Sequence, residues 1–167
     1  DVYKRQVCAW NTLKLRIATE PKCSLQFQHC VRRLGIGVGA DIILLSEIPK
    51  EAGAGRVGKL QAELQRVTGD EWAAHWSELS GVGPQENQAE YHVALVRQRV
   101  GLQVVHSMTH RTYMDGSFME RRLDHAPFTV FVRDDSFANQ ACREFALTSV
   151  HFPPQSRKKD LVVQVKG

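Results

Sequence analysis

The run Ile42–Leu45 constrains the fold more than any other feature of the chain. These consecutive branched apolar residues lie within ADIILLSEIP (Ala40–Pro49) and lead through Ser46 into Glu47, with Pro49 close behind. A short continuous apolar run that starts with β-branched residues and meets a proline reads as a buried central strand, over Ala40–Glu47. Glu47 then stands where that strand should stop. Strand ends and the loops after them are where a rigid sheet presents groups to a ligand, so this carboxylate is a candidate hard-metal ligand or acid/base. Taken alone, it reads first as a helix cap or a salt-bridge partner, ahead of a ligand.

The rest of the chain supplies the layers around such a strand. Val7–Leu15 reads as a strand giving way to loop, with Asn11 just past its apolar part. Leu25–Leu34 has helical spacing and ends at the glycine-rich stretch Gly35–Gly39 (GIGVG). A dinucleotide-binding fingerprint needs a strand before the glycines and a helix after them; here the order is reversed, so GIGVG is a helix stop and turn. Arg56–Val67 carries Val57, Leu60, Leu64 and Val67 at helical intervals and is closed by Gly69. After it, Glu71–Leu79, Tyr91–Arg97, Val100–His106, Phe128–Arg133 and Glu144–His151 are short runs separated by Gly, Pro, Asn or Asp clusters, the pattern of successive antiparallel strands. The expectation is an α/β (α+β) domain with a partly antiparallel sheet.

At 167 residues and 43 % hydrophobic content the chain is long enough for one domain with a sizeable core. Its formal charge of +4 permits an anionic partner without requiring one, and the basic residues are dispersed. Cys8, Cys23, Cys30 and Cys142 show no paired zinc-ligand spacing, and their connectivity cannot be read from sequence. No stretch is long enough to span a bilayer. Asp1–Gln6 (DVYKRQ) resembles the in-frame translation of a sequencing-library adapter, which leaves 7–167 as the natural part and the compartment open.

Two more groups share the position of Asn11 and Glu47 at the margin of an apolar strand. Glu90 opens Glu90–Arg97 (EYHVALVR), where a solvated strand-edge charge is the competing reading. His151 closes Phe145–Val150 before Phe152–Pro154, where it could be a structural histidine or a proton-transfer group. Oxygen ligands with a histidine are what metal-assisted phosphodiester cleavage requires. Mg²⁺ is usually held by only one or two carboxylates.

WNTLK (Trp10–Lys14), DIILLSEI (Asp41–Ile48), EYHVALVR (Glu90–Arg97) and FALTSVHFPP (Phe145–Pro154) occur in the order and spacing of the endonuclease/exonuclease/phosphatase superfamily. With the VGKLQAELQ helix and YMDGSF (Tyr113–Phe118), the chain most resembles the deoxyribonuclease I branch. The resemblance covers about Val7 to Lys159. It implies the N-terminal half of a four-layer αββα sandwich, hydrolysing phosphodiesters, most of all DNA, with Mg²⁺ or with Mn²⁺ or Ca²⁺ in its place. It implies that Asn11 orients phosphate or metal-bound water, Glu47 is the principal metal-binding carboxylate, and Glu90 pairs with His151, the general acid/base. It is also compatible with secretion.

The chain departs from that pattern. Ser46 replaces a common glutamine, and Pro49–Lys50 follows Ile48 where an arginine is expected. His125, in LDHAPF, stands at another arginine position, with Arg121 and Arg122 the nearest substitutes for binding substrate phosphate. The superfamily's GDFN-type Asp/Asn pair and terminal SDH-type Asp/His pair do not occur before Gly167. The chain is therefore expected to be an inactive N-terminal fragment with exposed sheet edges. The competing functions are a phosphatase or sphingomyelinase-like phosphodiesterase of the same superfamily, and a non-catalytic binding module on the same fold.

Overall fold

The computed structural model describes residues 5–12, 24–81, 89–98, 101–114, 117, 120–122, 125–136 and 143–151. Two sheets face each other. The first has the order β1 (Val7–Asn11), β2 (Ile42–Pro49), β4 (Glu90–Arg97), β3 (Trp72–Trp76). β1 runs parallel to β2, and the remaining pairs are antiparallel. The second is an antiparallel sheet of β5 (Leu102–Thr109), β8 (Phe128–Asp134) and β9 (Arg143–Ser149). A short hairpin, β6 (Thr112–Met114) with β7 (Glu120–Arg122), joins β5 to β8; the sequence pattern gave no sign of it.

Side-chain alternation sorts the first sheet's residues into two cores. Ile43, Leu45, Ile48, Val93 and Leu95 face a layer formed by α1 (Ser24–Arg32) and α2 (Gly53–Thr68). There they pack with Phe27, Val31, Val57, Leu60 and Leu64. Ile42, Leu44, Ala94 and Val96 face the second sheet and pack with Leu102, Phe128, Val130 and Val132. The layers are thus helix, sheet, sheet. This is why the Ile42–Leu45 run is apolar at every position: both faces of β2 are buried.

The elements fall close to their expected places, with instructive shifts. α2 starts three residues before Arg56, and its end is capped by Gly69 in the left-handed region (φ 74°), whose N–H bonds Gln65 O. The turn expected at Gly35–Gly39 instead begins as a π-helical continuation of α1 over Arg33–Gly37. Gly35 lets that turn lie against α2: a Cβ there would stand 2.8 Å from Thr68 Cγ2. β5 reaches Thr109, three residues past the expected end, and β9 stops two residues before His151.

At the margin where β1 and β2 begin and β8 ends, Arg5 donates two hydrogen bonds to Asp134, from Nε at 2.6 Å and from a terminal nitrogen at 2.7 Å. Gln6 O accepts from the N–H groups of Asp41 (2.9 Å) and Ile42 (3.2 Å). Cys8 and Cys30 are free thiols, whereas Cys23 and Cys142 lie outside the described residues. So do Asp1–Lys4, Leu13–Leu15, residues 82–88 of the loop before Glu90, Phe152–Pro154 and the terminal segment Asp160–Gly167. Among the described residues no helix is long and apolar enough to cross a membrane.

Candidate functional site

Asn11, Glu47, Glu90, His125 and His151 gather at the opposite margin, where β1 and β2 end and β4 begins. Glu47 does not terminate β2, as the sequence suggested. The strand continues to Pro49, and Glu47 sits in a bulge between Leu45 and Ile48 with φ of 59°. Regular alternation would aim Glu47 at the helices, with Ile43 and Leu45. The bulge adds one residue, so Ile48 returns to the helix-facing core and Glu47 is released to the other side. A left-handed conformation costs a non-glycine residue about 1–2 kcal/mol and persists only where neighbours enforce it. Thr12 supplies that enforcement: its hydroxyl donates to Ser46 O (2.9 Å) and lies 3.3 Å from Glu47 O, while its backbone N–H also donates to Ser46 O (3.3 Å).

Asn11 is paired with Ser46 across the β1–β2 ladder, which brings its amide to the bulge. Its Nδ2 donates to Glu47 Oε1 at 2.8 Å. Glu90 pairs with Pro49 at the head of β4, and on the same face of that strand stand His92, Ala94 and Val96. Hence Glu90 points between the sheets and is only 7 % exposed; the solvated-edge reading is wrong.

Register also explains the histidines. Phe128 pairs with Ser149, so His125, before β8, and His151, after β9, emerge beyond the same end of the second sheet. His151 Nδ1 bonds Glu90 Oε1 in a short contact, and its Nε2 lies 3.1 Å from Glu47 Oε1. His125 Nδ1 lies 3.3 Å from Glu90 Oε1, and its ring stands edge-on to His151, with centroids 4.9 Å apart. Asn11, Glu47, Glu90, His125 and His151 therefore form one contiguous group. Arg121 and Arg122 are in β7, and their side chains lie outside the described atoms.

The electrostatics follow from this packing. Burial pushes the Glu90 carboxyl up, but bonds to His125 and His151 and their charges outweigh burial and hold it at about 2. His151 is raised, first by its bond to Glu90, against burial, and further by the charges of Glu90 and Glu47. The carboxylates on either side thus favour the charged form of the imidazole. His92, which the sequence reading passed over, is fully buried, with Nδ1 2.8 Å from Ser149 Oγ. Burial lowers its pKa to about 4, the Glu90 charge opposing and the His151 and His125 charges adding. It stays neutral and ties β4 to the end of β9, just before His151. The signal for His92 was its even spacing from Glu90 along β4; Thr12 had none beyond its place after Asn11.

An open cleft of about 700 Å³ runs past Trp10, Asn11, Ser46, Glu47, Ser149 and His151. One carboxylate with a neighbouring amide, aimed into a cleft by a bulge, fits a hard divalent cation that takes its other ligands from water and substrate.

No family model and no curated protein sequence matches the chain. Its fold is similar to several solved structures. Against TDP2 from Caenorhabditis elegans the TM-score is 0.57 at 15 % identity, covering 98 % of this chain and 40 % of that one. An endonuclease/exonuclease/phosphatase family protein from Leptotrichia buccalis gives 0.57 at 13 % identity, covering 98 % and 64 %. The human Nocturnin catalytic domain with bound sulfate gives 0.54 at 12 % identity, covering 94 % and 53 %. The chain thus has the fold of endonuclease/exonuclease/phosphatase proteins and spans between two fifths and two thirds of the length of these three.

Proposed function

We propose that this chain is the amino-terminal part of a divalent-metal-dependent phosphodiester hydrolase of the endonuclease/exonuclease/phosphatase superfamily, with endonucleolytic cleavage of DNA as its reaction. The observation that carries the reading is His151, fixed through Nδ1 by buried Glu90 and turning Nε2 toward Glu47 at the cleft. Glu47 would hold a cation such as Mg²⁺, and Asn11 would hold the Glu47 carboxylate and contact phosphate. The cation would supply neutralising charge to the phosphate undergoing attack. His151 would hold or deliver a proton at Nε2, and Glu90 would keep the ring's tautomer and orientation through the reaction. Arg121 and Arg122 are proposed phosphate contacts, which position a nucleic acid without reading its sequence.

A second reading, hydrolysis of lipid or small phosphate esters, draws on one feature. His125 stands beside Glu90 where the deoxyribonuclease pattern has an arginine, so a bidentate phosphate clamp is missing there. The two readings separate with the complete protein. Plasmid nicking that needs Mg²⁺ and stops with EDTA, at a rate well above hydrolysis of small phosphate esters, supports the nuclease. Turnover of small esters alone overturns it in favour of the second reading. No metal-dependent hydrolysis of any phosphate ester leaves a binding module. The complete sequence gives a further check: this proposal requires an Asp-x-Asn strand end and a terminal Asp-His pair beyond Gly167.

A further inference from the structure

Glu90, His125 and His151 place one carboxylate oxygen and two imidazole nitrogens within 4.8 Å of one another. We propose that these three residues form a second metal site, selective for a borderline transition cation of the Zn²⁺ or Co²⁺ class, which holds the acid/base histidine and shuts the hydrolase off. The inhibitory part rests on the function proposed above; the site itself does not.

Donor chemistry sets the selectivity. Two imidazoles and a carboxylate suit Zn²⁺, whereas Mg²⁺ takes oxygen ligands and parts reluctantly with its water. One spacing already suits it, while His151 Nδ1, in short contact with Glu90, would draw back from that oxygen to ligate. Ligands about 2.0 Å from a tetrahedral ion stand roughly 3.3 Å apart, which is the separation of His125 Nδ1 from Glu90 Oε1. His125 Nδ1 is buried, faces Glu90 Oε1 at 3.3 Å and makes no hydrogen bond of regular geometry, so its one polar neighbour on the page is the carboxylate that would share the ion. His151 has the complementary arrangement: its Nε2 faces Glu47 Oε1 at 3.1 Å. A ligating histidine commonly donates its other N–H to a carboxylate, which fixes the tautomer that leaves the ligating nitrogen bare. Glu47 would play that part, leaving Nδ1 for the ion. The proton now shared between His151 Nδ1 and Glu90 would leave to solvent as the ion enters, together with any proton on His125 Nδ1, and water would take the fourth position.

Inhibition follows from the same atoms. With the ion on Nδ1 and Glu90 drawn into ligation, His151 can no longer be held as the imidazolium that delivers a proton from Nε2. An arginine at position 125 would offer no lone pair, so the departure from the deoxyribonuclease pattern is what creates the site.

The test is Co²⁺ titration of the complete protein, followed by the visible ligand-field band of a tetrahedral ion, with excess Mg²⁺ present. The expected result is one Co²⁺ per chain, displaced by Zn²⁺ and indifferent to Mg²⁺. His125→Asn should weaken it at least about tenfold, with the far-ultraviolet circular dichroism unchanged. Should that variant not fold, Glu47→Gln takes its place, with an expected loss of about tenfold through the ring's orientation. No band, displacement by Mg²⁺, or equal affinity in the variants overturns the site. Zn²⁺ inhibition of nicking by the complete protein reads the second half: a sound Co²⁺ site without inhibition overturns the role given to His151 and leaves the site standing.

Discussion

Glu47 gives up backbone comfort for position, and a pair of substitutions can weigh the two. Glu47→Ala and Glu47→Gly lose the same contacts to Asn11 and His151, but only glycine relieves the left-handed strain. In an ordinary strand glycine is less stable than alanine by roughly 0.5–1 kcal/mol. Here the order should invert, with Glu47→Gly more stable than Glu47→Ala by about 1 kcal/mol in urea unfolding. Alanine equal to or above glycine would mean that the bulge is not left-handed. His92 makes a second residue-scale prediction. It is neutral in the fold down to about pH 4, whereas in the unfolded chain it gains a proton below its ordinary value near 6.5. Between those limits the unfolded state binds more protons, so stability should fall as pH drops from 6.5 to 4, by up to about 3 kcal/mol, and be flat above 6.5 for this group. His92→Gln should flatten that slope relative to the parent. An unchanged slope would show that other groups carry it. These residues also mark where sequence reading reached its limit. Glu47, Glu90 and His151 could be picked out as candidates because each follows or opens an apolar run. The bulge could not, because parity along one strand is blind to a ladder interrupted by its neighbour, and His92 looked like one more residue in an apolar run.

At the scale of elements, the π-helical turn meets α2 in a close helix-to-helix approach built on a glycine. Gly35→Ala would drive a methyl into Thr68 Cγ2 and should cost about 1–3 kcal/mol. Thr68→Ser removes that methyl while keeping the hydroxyl, which donates to Leu64 O at 2.8 Å and lies 3.2 Å from Trp72 Nε1. The double variant should therefore recover most of the loss, giving a coupling well above 0.5 kcal/mol in a double-mutant cycle. Strictly additive effects would contradict the steric account. Glycine at 35 was legible as a break in helical periodicity; that it seats one helix on another was not, since a close approach belongs to two segments and the sequence shows them one at a time. The strands were read more surely than their partners. Alternation and turn residues located β4, β8 and β9, but nothing local distinguishes the parallel β1–β2 pair from the antiparallel ones.

Across the whole molecule, the sandwich has a polar clasp at each end. At one, Glu90 binds His125 and His151 between the sheets; at the other, Arg5 grips Asp134 at the end of β8. The Arg5 bond, against burial and with help from Ser136, holds the Asp134 carboxyl well below its ordinary range. That contribution is present above pH 4 and is lost as the pH falls below it. Arg5→Ala leaves a nearly buried carboxylate without its guanidinium and should cost about 3 kcal/mol at pH 7, measured by urea unfolding. A cost below about 0.5 kcal/mol would show the clasp to be dispensable. Arg5 belongs to the segment that reads as adapter by its sequence, and its packing could not have been foreseen from that reading.

The central claim is that this fold brings a proton-transferring histidine, held by Glu90, to a phosphodiester. It is tested most directly by the Mg²⁺-dependent plasmid-nicking rate of the complete protein beside its His151→Ala variant. The account predicts a fall of about 10²–10⁴-fold with the fold intact; nicking by His151→Ala at the parent rate would contradict it.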